Sequence, residues 1–186
     1  MTGDLNTLMM GATFFLHGHG SAGTGFILAR ANPNDVNTGH FVLVTAAHVL
    51  EGVSGEEITI ILREHTTSGE WITKPTAWRI RDSGQPKWTK HPDADIAALY
   101  AQGLDPVQDM PTWTKVNSST VEVHGSIGSL IAAIHTELLA DDTTLQTYEL
   151  HPGDELFCLG YPNCVPANDA FFPILRSGKV ASYPLL

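Results

Sequence analysis

The side chain best placed for chemistry is His48. It follows Phe41-Val42-Leu43-Val44, a run of aromatic and aliphatic residues that suits a strand buried on both faces, after the turn-forming Asn37-Thr38-Gly39. Thr45 is placed to cap a one-turn helix over Ala46 to Leu50 by offering its hydroxyl to an orphan amide, and the two alanines let that backbone pack close to its neighbours. An imidazole fixed by such a scaffold suits a general base. Other groups offer less. Nine histidines raise a metal site, with His17 and His19 as the best pair on one strand face. Without cysteine pairs or a His-Glu-x-x-His helix, solvated loop histidines explain them better, and neither metal nor cofactor is expected. Trp71, Trp78, Trp88 and Trp113 would suit a ligand-stacking surface, although core and strand-edge packing places tryptophans at such positions more often.

Leu43-Val44-Thr45-Ala46-Ala47-His48-Val49 resembles the catalytic-histidine motif of trypsin-like (chymotrypsin-fold) serine proteases, and Ser21-Ala22-Gly23-Thr24-Gly25-Phe26-Ile27-Leu28 resembles the strand before it. Downstream, His91-Pro92-Asp93-Ala94-Asp95-Ile96-Ala97-Ala98-Leu99 is similar to the segment carrying that family's catalytic aspartate. Gly153 to Pro162 and Pro173 to Val180 look like the first strands of its second barrel. The resemblance implies an all-β, two-barrel chymotrypsin-like fold and a Ser-His-Asp endopeptidase acting on polypeptide substrates. It assigns the base to His48 and the orienting acid to Asp95, which directly precedes the strand Ile96 to Tyr100; Asp93 is the second choice.

The family carries its serine in a Gly-x-Ser-Gly-Gly loop, beyond the segment resembling Arg176-Ser177-Gly178-Lys179-Val180, and no such five-residue motif occurs in this chain. Ser177 opens what looks like a strand and reads as structural. Viral relatives use cysteine on this fold, but Cys164 lies in Tyr161-Pro162-Asn163-Cys164-Val165-Pro166, without glycines to aim backbone amides. The chain therefore reads as a fragment, with the first barrel complete and the second partial. By itself it is expected to be inactive, lacking both the nucleophile and the amides of the oxyanion hole. A non-catalytic trypsin-fold module that binds a peptide or protein is the alternative.

The elements that must position these groups are short strands. Ala12 to Leu16, Thr24 to Ala29, Phe41 to Val44, Glu57 to Leu62, Trp71 to Ile80 and Ile96 to Tyr100 are separated by Gly, Pro and Asn turns, a pattern of an all-β barrel or sandwich. Pro75 demotes Trp71 to Ile80 to an edge. These strands form a first barrel over 1–105, carrying His48 and Asp95, and 106–125 reads as a connection. Within 126–186, Ile127, Leu130, Ile131, Ile134 and Leu138 recur at helical spacing and predict one amphipathic helix near 126–140, with Asp141-Asp142 beyond its end. Strands over Leu145 to Leu150, Glu155 to Leu159 and Ile174 to Ser182 would follow in the incomplete second barrel.

Composition fits a globular protein of this kind. The 186 residues are 42% hydrophobic and 16% charged, enough to bury a core. Twenty acids against ten bases give a formal charge of −10, which repels a nucleic-acid backbone. No run approaches the ~20 apolar residues that span a bilayer, and Met1 to Asn6 shows no basic or apolar stretch of a secretory signal, which slightly favours the cytoplasm. Cys158 and Cys164 form no disulfide framework and would pair only if a turn brought them together.

Overall fold

Alternating apolar residues decide how the strands assemble. The computed structural model describes residues 5–32, 35–101, 112–117, 120–124, 132–148 and 151–181. A short helix α1 (Leu5–Ala12) leads into β1 (Thr13–Gly18), which turns through His19 and Gly20 into the long β2 (Ser21–Asn32). After β3 (Asp35–Thr45) comes the small helix α2 (Ala47–Glu51), then β4 (Glu57–His65) and β5 (Trp71–Arg79). The two-residue strands β6 (Arg81–Asp82) and β7 (Gln85–Pro86) form a separate hairpin. β8 (Thr89–Lys90) and β9 (Ala97–Tyr100) then rejoin the main sheet, whose order is β5-β4-β1-β2-β3-β9-β8.

Neighbours along that order are antiparallel. Phe14 and Leu16 of β1, Ile27 of β2, Leu43 of β3, Ile58 and Ile60 of β4, Trp78 of β5 and Leu99 of β9 all fall in one buried cluster. Because one face of every long strand meets in a single core, the sheet curls around it. It is not closed among the described residues: β5 and β8 are its margins, and Lys87 N–H donates to the Ile80 carbonyl across the intervening segment at 2.9 Å. Pro75 lies in β5 at the margin, where its missing N–H interrupts no ladder.

The outer face of β1 and β4 is covered by later chain. Phe15 and Ile61 pack with Tyr161, and Phe171 lies beside them. Between these layers sits Arg63, only 3% exposed. Its guanidinium donates to the Tyr161 hydroxyl (3.0 Å) and to the carbonyls of Phe171 (2.9 Å), Met10 (3.0 Å), Gly11 (3.1 Å) and Thr13 (2.7 Å). Met10 and Gly11 belong to the last turn of α1, where carbonyls lack intrahelical partners and favour a cation. One side chain thus joins α1, β1 and β4 to the segment 161–172.

The remaining elements depart from the sequence expectation in several places. α1 was not expected at all, and the turn assigned to Asn37-Thr38-Gly39 lies inside β3, where Gly39 pairs with Ala31. β10 (Thr112–Asn117) and β11 (Thr120–His124) form an antiparallel hairpin within the stretch read as a connection. Of the helix expected near 126–140, residues 126–131 lie outside the described ones, and 132–140 are not α-helical. There β12 (Ile134–His135) pairs in parallel with Leu28 and Ala29, and a 3-10 turn follows at Thr136–Leu138. Helix α3 (Asp142–Thr147) begins where the expected one was to have ended, because Asp141 Oδ1 accepts the Thr144 N–H and hydroxyl, both at 2.7 Å. Leu145 is consequently helical, not the start of a strand. β13 (Glu155–Gly160) and β14 (Ile174–Lys179) pair as an antiparallel hairpin close to the expected positions.

Candidate active site

Helix α2 presents His48, and both of its ends are held by distant side chains. At the N-terminus Ala46 offers no side-chain cap, and Thr45 does not supply one either: its hydroxyl donates to the Thr24 carbonyl at 2.8 Å, across to β2. Asp95 fills the role instead. Its Oδ1 accepts the His48 backbone N–H at 2.9 Å, and its own carbonyl accepts the Ala47 N–H at 3.3 Å. A carboxylate at a helix N-terminus satisfies orphan amides and meets the positive end of the peptide dipoles. At the other end Arg81 donates to the carbonyls of Leu50 (2.8 Å), Val53 (2.8 Å) and Gly55 (2.7 Å).

The second oxygen of the same carboxylate reaches the ring. Asp95 Oδ2 lies 2.5 Å from His48 Nδ1, although the residues are 47 positions apart. With one oxygen on the amide and the other on the ring, the carboxylate fixes the backbone and side chain of His48 together. An ionised carboxylate only accepts, so Nδ1 carries the proton and the lone pair is left on Nε2. The side chains of His48 and Asp95 are 69% and 55% exposed, which leaves Nε2 open to solvent. The hydrogen bond from the His48 ring, then that from its amide, holds the Asp95 carboxyl below the ordinary carboxylate range, with a smaller contribution from Lys90. Lys90 is itself engaged by Glu51 at 2.8 Å, joining β8 to the last residue of α2.

The other candidates lie apart from this pair. Asp93 sits in the loop before Asp95, and its backbone N–H points to the His91 ring. Ser177 lies in β14 opposite Phe157. Cys158 and Cys164 are free and exposed. His17 stacks on Phe15, whereas His19 bonds Ser54 Oγ through Nδ1 at 2.8 Å, so the two do not form a ligand pair. Trp78 is in the core, Trp88 packs against it, and Trp71 sits edge-on to Phe172; of the Trp113 side chain nothing is described.

Sequence reasoning passed over Gly52-Val53-Ser54-Gly55, which has the Gly-x-Ser-Gly spacing without the second terminal glycine. Ser54 is occupied elsewhere, since its N–H also donates to the His19 carbonyl at 3.0 Å, and this clasps the loop after α2 to the β1–β2 turn. Arg81 was likewise missed. Only its tertiary placement beneath α2 distinguishes it from an ordinary surface arginine.

No protein-family model, curated protein or solved structure matches this chain.

Proposed function

We propose that this chain is a trypsin-like serine endopeptidase by class, with His48 as general base and Asp95 as the acid that orients it. The observation that carries the proposal is the double grip of Asp95, Oδ1 on the His48 amide and Oδ2 on its ring. In this reading the curled sheet corresponds to the first barrel of a chymotrypsin-like fold, and β13 and β14 to strands of the second. A serine hydroxyl attacking a peptide carbonyl gives its proton to His48 Nε2. The imidazolium so formed is stabilised by the ionised Asp95, which takes no proton itself, and the proton passes to the departing amine as the C–N bond breaks. Water then attacks the acyl-serine, losing a proton to Nε2, which returns it to the serine oxygen as the C–O bond of the acyl-serine breaks and the acid is released.

The nucleophile is expected in a Gly-x-Ser-Gly-Gly loop, which these 186 residues do not contain, so the chain alone should turn over no peptide. The test is peptide hydrolysis by the product of the whole open reading frame. His48→Ala should abolish turnover, and Asp95→Asn should lower kcat by about 10⁴-fold with the fold intact, because the amide holds the wrong tautomer. Peptide binding without turnover would instead support the module reading, which the exposed Leu156, Phe157 and Leu175 on the β13–β14 hairpin favour.

A further inference from the structure

We infer that His91 is a positioning residue for Asp95, and that it acts only as the neutral imidazole; the inference rests on the roles given to His48 and Asp95 above. β8 and β9 form a hairpin in which Thr89 faces Ala98 and Lys90 faces Ala97. The ladder continues one step further, as His91 N–H donates to the Ile96 carbonyl at 2.8 Å. The loop 92–95 hangs from that step, with Asp95 as its last residue.

Two amides of the loop turn inward on one acceptor. Asp93 N–H and Ala94 N–H both donate to His91 Nδ1, at 3.1 and 3.0 Å, while Ile96 N–H donates to the Ala94 carbonyl at 2.8 Å. Pro92 brings no N–H of its own and a fixed φ. A ring nitrogen here does what an Asx side chain does in a turn, supplying an acceptor that organises the following backbone. The residue after the two tethered amides is Asp95, whose carbonyl and carboxylate must reach Ala47 and His48 on α2. Freeing the tethered amides lets the loop rotate, and Asp95 with it.

Accepting two N–H groups requires the lone pair on Nδ1, hence the proton on Nε2; a doubly protonated ring has no acceptor and opposes the amides with a third N–H. A His91 ring protonated at both nitrogens therefore loosens the support of Asp95. Among the described residues, the charged and titratable groups linked to the turn include Lys90, Asp93 and Asp95 on its own hairpin, with Glu51 paired to Lys90 and His48 to Asp95 on α2.

The experiment is nuclear magnetic resonance of this chain as wild type, His91→Ala and His91→Asn. Asparagine places Oδ1 where Nδ1 stands and does not titrate, and the β1 to β4 amide shifts report that each variant is folded. His91→Ala should speed exchange of the Asp93 and Ala94 amides and of the His48 Nδ1 proton by about tenfold or more. His91→Asn should restore all three. On acidification the wild-type amides should loosen in step with the His91 ring resonances, while those of His91→Asn hold through the same range. Unchanged exchange in His91→Ala, no recovery in a folded His91→Asn, or amides indifferent to the charging of His91 would each overturn the inference. These readouts need no turnover, so a failure of the peptidase assignment shows separately, as an inactive whole-frame product with the His91 effects intact.

Discussion

Arg63 is 3% exposed and gives five hydrogen bonds to neutral oxygens, whereas His48 and Asp95 are 69% and 55% exposed and grip each other. Burial lowers the Arg63 pKa, opposed by Tyr161, but an arginine starts so high that it stays charged. Its guanidinium also lies 5.0 Å from the Phe14 ring centroid and 4.9 Å from that of Phe172. Both terminal nitrogens are spent on holding segments together. At His48 only one ring nitrogen is spent, and the other faces solvent. Placement that consumes all of a group's bonds builds structure; placement that leaves one free can do chemistry.

The comparison is broken most severely at Arg63. Arg63→Met should cost about 3 kcal/mol or more, because it strands buried carbonyls of Met10, Gly11, Thr13 and Phe171, and a urea titration would read the loss as a lower midpoint. Arg63→Lys should recover only part of it, since a point ammonium does not span the same fork. A smaller difference separates the sheets that the two groups serve. Amides of β1, β2 and β4, paired on both sides, should exchange more slowly than those of β13 and β14, which among the described residues pair only with each other and expose Leu156, Phe157 and Leu175. Equal protection would show that the hairpin is covered in solution.

Thr45→Val removes the bond to the Thr24 carbonyl and should cost about 1 kcal/mol in thermal or urea unfolding, without moving α2, because Asp95 and not Thr45 caps that helix. The smallest stability effect belongs to the His48–Asp95 pair, whose members are exposed. Its sign is nevertheless fixed. The Asp95 carboxyl is held below its ordinary value, chiefly by the His48 ring, so the folded chain binds that proton less readily than the unfolded one. The pair's contribution is present above the ordinary carboxylate range and disappears as pH falls through the lowered folded value. Asp95→Asn should remove the pair's share of the acid-side slope in unfolding measurements and leave that of Asp141, whose carboxyl is lowered by its hydrogen bonds from Thr144.

The main strands were legible because their chemistry is local. Ile58, Ile60 and Leu62 alternate, so β4 could be read from spacing. Asp95 as the partner of His48 rests instead on the resemblance of its segment to a catalytic-aspartate segment, its place just before an apolar strand deciding only between it and Asp93. The same spacing misled at 132–140, where Ile134 serves a sheet edge beside Leu28 and the helical period has no helix to serve. Asp141 was read as lying past a helix end, yet as a short acceptor it starts α3. What could not be read is long-range. Arg63 follows the apolar stretch of β4 and would pass for a surface charge until Tyr161, Phe171 and α1 close over it. Thr45 was chosen as the cap because it is adjacent in sequence, whereas the residue that caps lies on the β8–β9 hairpin. The His91 turn escaped notice for a different reason, since a histidine before proline carries no sequence mark of the tautomer that its neighbours require.

The most direct test of the central claim is covalent labelling by a serine-directed fluorophosphonate of the product of the whole open reading frame, with the 186-residue chain in parallel. The account predicts one labelled serine in a Gly-x-Ser-Gly-Gly sequence, no labelling after His48→Ala, a rate lowered by orders of magnitude after Asp95→Asn, and no labelling within the 186 residues, at Ser54, Ser177 or elsewhere. Labelling of the 186-residue chain, or labelling of the whole product that is indifferent to His48→Ala, would contradict it.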